Sequence, residues 1–205
     1  DIRSSCIWIE SESFKDCIGL KKITLPDTLK AIESETFMNC NNLTNIIIPP
    51  SVVSIGDKAF ALCTNLSKIS IPSSVTKFGK NIFQRISSLQ ILGDITKIPD
   101  GLFKGCDELK KINLPSTVTE IGNNAFMQCS LVSISIPLVT KIGKNAFNQC
   151  SVLSSMITSS KINYIGEGAF NNCGSLKHFY IPSLTTDIFD DTFSDCSLIQ
   201  QMNIP

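Results

Sequence analysis

Nine cysteines and one histidine are the residues of this chain best suited to chemistry. Eight of the cysteines fall on a fixed beat, each three residues after a phenylalanine: Cys17, Cys40, Cys63, Cys106, Cys129, Cys150, Cys173 and Cys196. Thiols placed this way have three possible uses. They could ligate zinc, but a structural zinc site needs four converging nitrogen or sulfur ligands. Equivalent positions of stacked periods form a line instead, and His178 is the only histidine. They could pair as disulfides, since neighbours in such a stack lie roughly 4.8 Å apart, within bridging range. In-register side chains point in parallel, however, and an odd total with Ile86 on one beat leaves no strict pairing scheme. The favoured expectation is a ladder of buried thiols that fill space and bond weakly to backbone, with disulfides and zinc as the alternatives. Cys6 lies off the beat and is the expected exposed thiol.

Little else supports catalysis. A lone histidine, no glycine-rich phosphate loop, no metal-ligand cluster and no nucleophile motif predict no enzymatic activity, no cofactor and no metal. Eighteen basic residues balance eighteen acidic ones, which argues against bulk electrostatic binding to nucleic acid or a membrane surface. No apolar run approaches the roughly 20 residues that a spanning helix needs. The chain begins inside a repeat and ends at Ile204-Pro205, where a strand should finish, so it reads as a piece or processed product of a longer protein.

The elements that position these residues follow from the phenylalanine beat. Phe14, Phe37, Phe60, Phe83, Phe103, Phe126, Phe147, Phe170 and Phe193 are separated by 20 to 23 residues. A fixed period of about 20 to 29 residues marks a solenoid, in which no repeat has a core until its neighbours stack on it. Residues 1–205 therefore read as a single solenoid domain of about nine repeats, the first and last incomplete. Within one repeat, Leu43, Ile46 and Ile48 face inward from a short strand, which must pair in parallel with its copies. Proline ends the strand at Pro26, Pro49, Pro72, Pro115, Pro137, Pro182 and Pro205. An extended return stretch follows, and Ala-Phe-x-x-Cys is expected to close the coil as a single helical or 3-10 turn. Gly56, Gly79, Gly122, Gly143 and Gly166 share the position four before phenylalanine. Pro99 holds that position in another copy, so close packing, and not a positive φ, explains the glycine. The Phe83 repeat is three residues short and lacks the proline, and the Phe126 repeat is two short; both predict a local change of twist without interruption.

Function should then sit on outward positions of the strands. Lys21, Lys22, Lys68, Lys110, Lys111 and Lys177 fall there, along with Gln90 and Ile91, and no Asp or Glu does. The acids lie elsewhere, as at Asp57, Asp107, Glu108, Glu120 and Asp190, so the strand face should be mildly basic and suited to an acidic partner. Depletion of acids from strands in general is the plainer explanation. Lys177-His178-Phe179-Tyr180 puts a cation, an imidazole and an outward ring together, although a ring and a histidine are also ordinary strand formers; Phe179 belongs to the core side by register. Asn42-Leu43-Thr44 and Asn65-Leu66-Ser67 are glycan acceptor sequons at the same place in adjacent repeats.

The pattern Phe-x-x-Cys-x-x-Leu-x-x-Ile-x-Ile-Pro-x-x-Val-x-x-Ile-Gly-x-x-Ala-Phe, as in Gly56–Cys63 and Gly143–Cys150, resembles the BspA-like leucine-rich repeat over essentially the whole chain. The resemblance implies an α/β solenoid: a right-handed curved coil with one parallel sheet of short strands on its concave face and short helical turns and extended segments on the other side. It also implies a cell-surface or secreted adhesin-like module that binds protein, host matrix proteins among them. An intracellular interaction scaffold is the alternative, since nine cysteines without a pairing scheme suit a reducing compartment. The resemblance carries no catalytic motif to this chain.

Overall fold

The computed structural model describes residues 6–203, so Pro205 lies outside the described residues. Each repeat closes into one coil, and coils stack through three hydrogen-bonded ladders. The face ladder is built from β2 (Asn45–Ile47), β4 (Lys68–Ser70), β6 (Ser88–Leu92), β8 (Lys111–Asn113), β10 (Ser133–Ile136), β12 (Ser155–Thr158), β14 (His178–Tyr180) and β15 (Gln201–Asn203). All its pairings are parallel, as strands that recur in one direction require. Side chains alternate: Ile46 is buried between exposed Asn45 and Ile47.

The sequence predicts one sheet; the structure has a second, narrower ladder on the return stretch. It comprises β1 (Ala31–Ile32), β3 (Ser54–Ile55), β5 (Lys77–Phe78), β7 (Lys97–Ile98), β9 (Glu120–Ile121), β11 (Lys141–Ile142) and β13 (Tyr164–Ile165). Two residues per coil are too few to stand out as a strand in sequence, yet stacking brings the copies into register, Ser54 against both Ala31 and Lys77. Hydroxyls add to it: Ser51 Oγ donates to the Leu29 carbonyl and Thr117 Oγ1 to that of Ile95, each at 2.7 Å.

The expected helical turn at Ala-Phe-x-x-Cys is not a helix. Residues two before and two after each ring phenylalanine have positive φ, as at Glu35 (56°) and Asn39 (62°), and this holds in all nine coils. A left-handed residue every fourth place breaks a helix. It also turns alternate N–H groups along the stack: Glu35, Phe37 and Asn39 donate to the carbonyls of Asp57, Ala59 and Ala61 in the next coil at 2.8–2.9 Å. The intervening residues bond three places back, as Cys40 N–H does to the Phe37 carbonyl. Gly56 meets this ladder closely. A Cβ there would sit 2.5 Å from the Ser34 amide nitrogen, so close packing does select glycine at this position.

The nine rings form one continuous stack, with centroids 5.2–6.0 Å apart. The seven central rings have no exposure, while Phe14 and Phe193 at the ends are half-buried. Beside them runs the thiol ladder. Cys40, Cys63, Cys106, Cys129, Cys150, Cys173 and Cys196 are buried free thiols. Each donates its S–H to the carbonyl of the ring phenylalanine one coil earlier, as Cys129 does to Phe103 at 2.8 Å and Cys63 to Phe37 at 3.0 Å. Burial pushes the Cys40 thiol up to about 11 and those of Cys63 and Cys150 up to about 12. Cys6 is not the exposed thiol; it is half-buried and donates to the Trp8 carbonyl at 3.0 Å. Cys17 is exposed instead.

The short Phe83 repeat changes more than twist. Crossing β6, Lys68 pairs with Gln90 and Gln90 with Asn113, two places beyond Lys111. An even slip keeps the core side inward, so Leu89 and Ile91 are both buried and Leu92 is exposed. Ile91 is therefore not an outward residue, and Gln90 is half-buried. Between the Phe83 and Phe103 coils β5 and β7 do not pair. No bond of the turn ladder crosses this junction either, whereas three cross each of the other seven. The face ladder is itself interrupted between β8 and β10 and between β12 and β14. The ring stack continues through every gap, with its largest interplanar angle, 23°, at Phe83 and Phe103.

Phe126→Ala should therefore lower unfolding free energy by about 3–5 kcal/mol, and Phe14→Ala by about half that, read from urea midpoints at constant slope. Equal effects would show that the stack does not carry the core. The thiols give a second test. A buried neutral thiol stabilises the fold below its ordinary pKa of about 8.5, and this contribution is lost as pH rises through the native values near 11 and 12. Iodoacetamide at pH 8 should modify Cys17 first and Cys6 more slowly, and all nine cysteines only in denaturant. Eight reactive thiols in the native protein would contradict the ladder.

Candidate functional site: the strand face

The face ladder holds its outward side chains by the pairing that buries Ile46, Ile69, Ile112, Ile134 and Phe179. Lys68 stands on β4, Lys111 on β8, and His178 and Tyr180 on β14, all exposed. Lys110 and Lys177 precede their strands, while Lys21 and Lys22 lie on an extended segment before β1; all four are exposed. None of the six lysines has an ion-pair partner among the described residues.

The structure does not gather these cations into one column. Asn45 pairs directly with Lys68, Ser88 with Lys111, and the slip at β6 offsets Lys68 from Lys111. Ser133 and Ser155 occupy the strands between Lys111 and Lys177. Strands two apart are separated by about 10 Å, near the screening length of physiological salt, so the face carries separate charges. His178 pairs with Gln201, and Tyr180 is 55% exposed at that end.

Apolar side chains complete the face. Ile47 on β2 is 73% exposed and Ile157 on β12 is 65% exposed, the two highest values among the large apolar residues described. Alternation along the strand places both outward, Ile47 beside buried Ile46 and Ile48 and Ile157 beside half-buried Met156 and Thr158, but charge alone does not single them out. Ile157 shares a shallow hollow with Lys111, Asn113 and Ser135.

Several of the acids are engaged on the other sides. Glu35 lies 2.8 Å from Lys15 and 3.4 Å from Lys58 along the turn ladder, and the Lys15 ammonium holds its carboxyl below the usual range. Lys97 is 2.9 Å from Glu120, Lys144 2.8 Å from Glu167, and Arg85 3.1 Å from Glu108. Asp57 Oδ1 accepts the Lys80 N–H and Asp100 Oδ1 the Asn123 N–H. Asn42 and Asn65 are both exposed, at the bend that leads into the face strands. Among the described residues no three His, Cys, Asp or Glu side chains are placed to share a metal ion, and no helix is long and apolar enough to cross a membrane.

Comparisons with known proteins agree with this architecture. No curated protein matches the chain. A leucine-rich repeat protein from Bacteroides ovatus is similar in structure, with 30% identity and a TM-score of 0.60 over 83% of this chain and 51% of that one. A leucine-rich repeat protein from T. pallidum has 26% identity and a TM-score of 0.53, covering 78% of this chain and 68% of its own. The chain thus spans about half the length of the Bacteroides ovatus protein. The BspA type leucine-rich repeat region matches residues 1–92 and 85–200 in six copies, and the chain belongs to that family.

Proposed function

We propose that this chain is a non-catalytic protein-binding module whose partner contacts the strand face, serving adhesion at a cell surface or in secreted form. The observation that carries the reading is the division of charge. The face has lysines with no ion-pair partner among the described residues and exposed Ile47, Ile157 and Tyr180, while Glu35, Glu108, Glu120 and Glu167 on the other sides are bound to lysines or arginine and Asp57 and Asp100 to backbone N–H groups. Such a surface suits a protein with an acidic rim and an apolar centre, the aromatic and aliphatic groups acting as anchors and the lysines steering approach. Host matrix or cell-surface proteins are the partners to be sought, and glycans at Asn42 and Asn65 would border the face without covering it. A second reading, an intracellular interaction scaffold, is favoured by the free thiols alone, which would persist in a reducing compartment.

Lys110→Glu with Lys111→Glu should weaken capture of a matrix or plasma protein about tenfold and flatten its salt dependence, measured on immobilised chain at low and physiological ionic strength. Unchanged binding would remove this face from the account.

A further inference from the structure

The junction between the Phe83 and Phe103 coils is bridged at one end, where Asp94 accepts the Ser73 N–H at 2.8 Å and its hydroxyl at 3.0 Å, and beyond that bridge it opens into a cleft on the return side. Its walls are the unpaired edges of the return ladder: Val75, Lys77 and Phe78 on one side, Ile95, Lys97 and Pro99 on the other, around a hollow of about 630 Å³. That volume falls within the range of ligand clefts, about 300–1,000 Å³.

The backbone explains why the ladder stops here. Elsewhere the Ile55 carbonyl accepts the Gly79 N–H and the Ile98 carbonyl the Gly122 N–H, each at 2.8 Å. The Phe78 carbonyl holds the same place, and the residue due to serve it is Pro99, which has no N–H. One step earlier, the Thr96 carbonyl accepts from Thr119 and Glu120, but no N–H of the next coil reaches its counterpart at Thr76. Two acceptors thus face the cleft in the geometry of a parallel strand edge.

Charge is unmatched on one wall of the cleft, at Lys77, while Lys97 on the other wall holds Glu120 and Asp100. In the intact ladder Glu120 stands in register between Lys97 and Lys141, with its carboxylate 2.9 Å from Lys97 Nζ. Lys77 and Lys97 hold corresponding positions across the cleft with no acid between them, and Lys77 has no ion-pair partner among the described residues. Asp100 also lines the hollow, but it is bound to Lys97 and to the Asn123 N–H. Next to Lys77, Phe78 is half-buried against the hollow.

We propose that this cleft takes an extended peptide segment of a protein partner, which adds a parallel strand to β5 with an acidic residue between Lys77 and Lys97 and a β-branched residue over Phe78. Strand addition of this kind draws affinity from main-chain bonds and specificity from alternate side chains. The site is separate from the strand face and does not depend on it.

The chain supplies its own probe, because Glu120-Ile121 pairs with the other edge of β7 in the same pattern. A labelled, acetylated and amidated peptide with the sequence of residues 116–123, Ser-Thr-Val-Thr-Glu-Ile-Gly-Asn, is titrated against the chain by fluorescence anisotropy. Saturable binding is expected. Lys77→Glu in the chain, or lysine for glutamate in the peptide, should weaken it about fivefold. Sarcosine for the peptide's glycine repeats the defect of Pro99 and should weaken it about tenfold. Lys111→Glu on the strand face should leave it unchanged. No saturation at millimolar peptide, equal binding of the sarcosine peptide, or loss of binding in Lys111→Glu would overturn the proposal.

Discussion

One axial spacing governs this molecule. A coil can rise by only one distance, and that distance must serve backbone hydrogen bonds and stacked rings together. Parallel strands prefer about 4.8 Å, and offset aromatic pairs are favourable with centroids about 4.5–7 Å apart. The rings settle at 5.2–6.0 Å, so both are satisfied in one stack. Everything placed on a coil inherits a copy of itself above and below. That is why hydroxyls such as those of Ser51 and Thr117, carboxylates such as those of Asp57 and Asp100, and the buried cysteine thiols find a partner in the neighbouring coil.

The cysteines show what this repetition does to chemistry. The ring phenylalanine's carbonyl already accepts the N–H of the cysteine in its own coil, and the thiol of the next coil supplies a second donor. A small group with an S–H fits where a methyl would leave the carbonyl with one bond. Ile86 shows the substitute, full packing without the second donor: Phe60 is a central ring whose carbonyl receives only the Cys63 N–H. Buried and committed in this way, seven of the thiols are held from metal and from oxidant, and only the end of the ladder at Cys17 is open.

Much of the core is legible in sequence, because the Phe, Cys, Leu and Ile columns recur with little variation. The turn ladder is not. Eleven of the eighteen residues with positive φ around the rings are Asn, Asp or Gly, a usable signal, but Glu12, Lys58, Leu62 and Arg85 hold the same conformation because neighbouring coils impose it. The slip at β6 escaped for another reason. Extending the regular frame puts Ile91 outward, whereas an even displacement of the register returns it to the core. On the candidate face, the lysines could be placed outward by alternation alone. Their separation could not, since it depends on which strand pairs with which. Pro99 was visible throughout, but its consequence lies in the bond it fails to give to Phe78.

Interruption is distributed so that no junction loses everything. Where the return and turn ladders part, β4, β6 and β8 stay paired, and where β8 and β10 part, β9 and β11 remain joined. The account's central claim is that ladders between coils, and not structure within a coil, hold this chain together. Native-state hydrogen exchange tests it most directly. The amides of Asn81 and Arg85, which reach no next-coil carbonyl, should exchange much faster than those of Lys58 and Leu62, which donate to Lys80 and Gln84 at 2.8 Å. Equal protection at all four would contradict it.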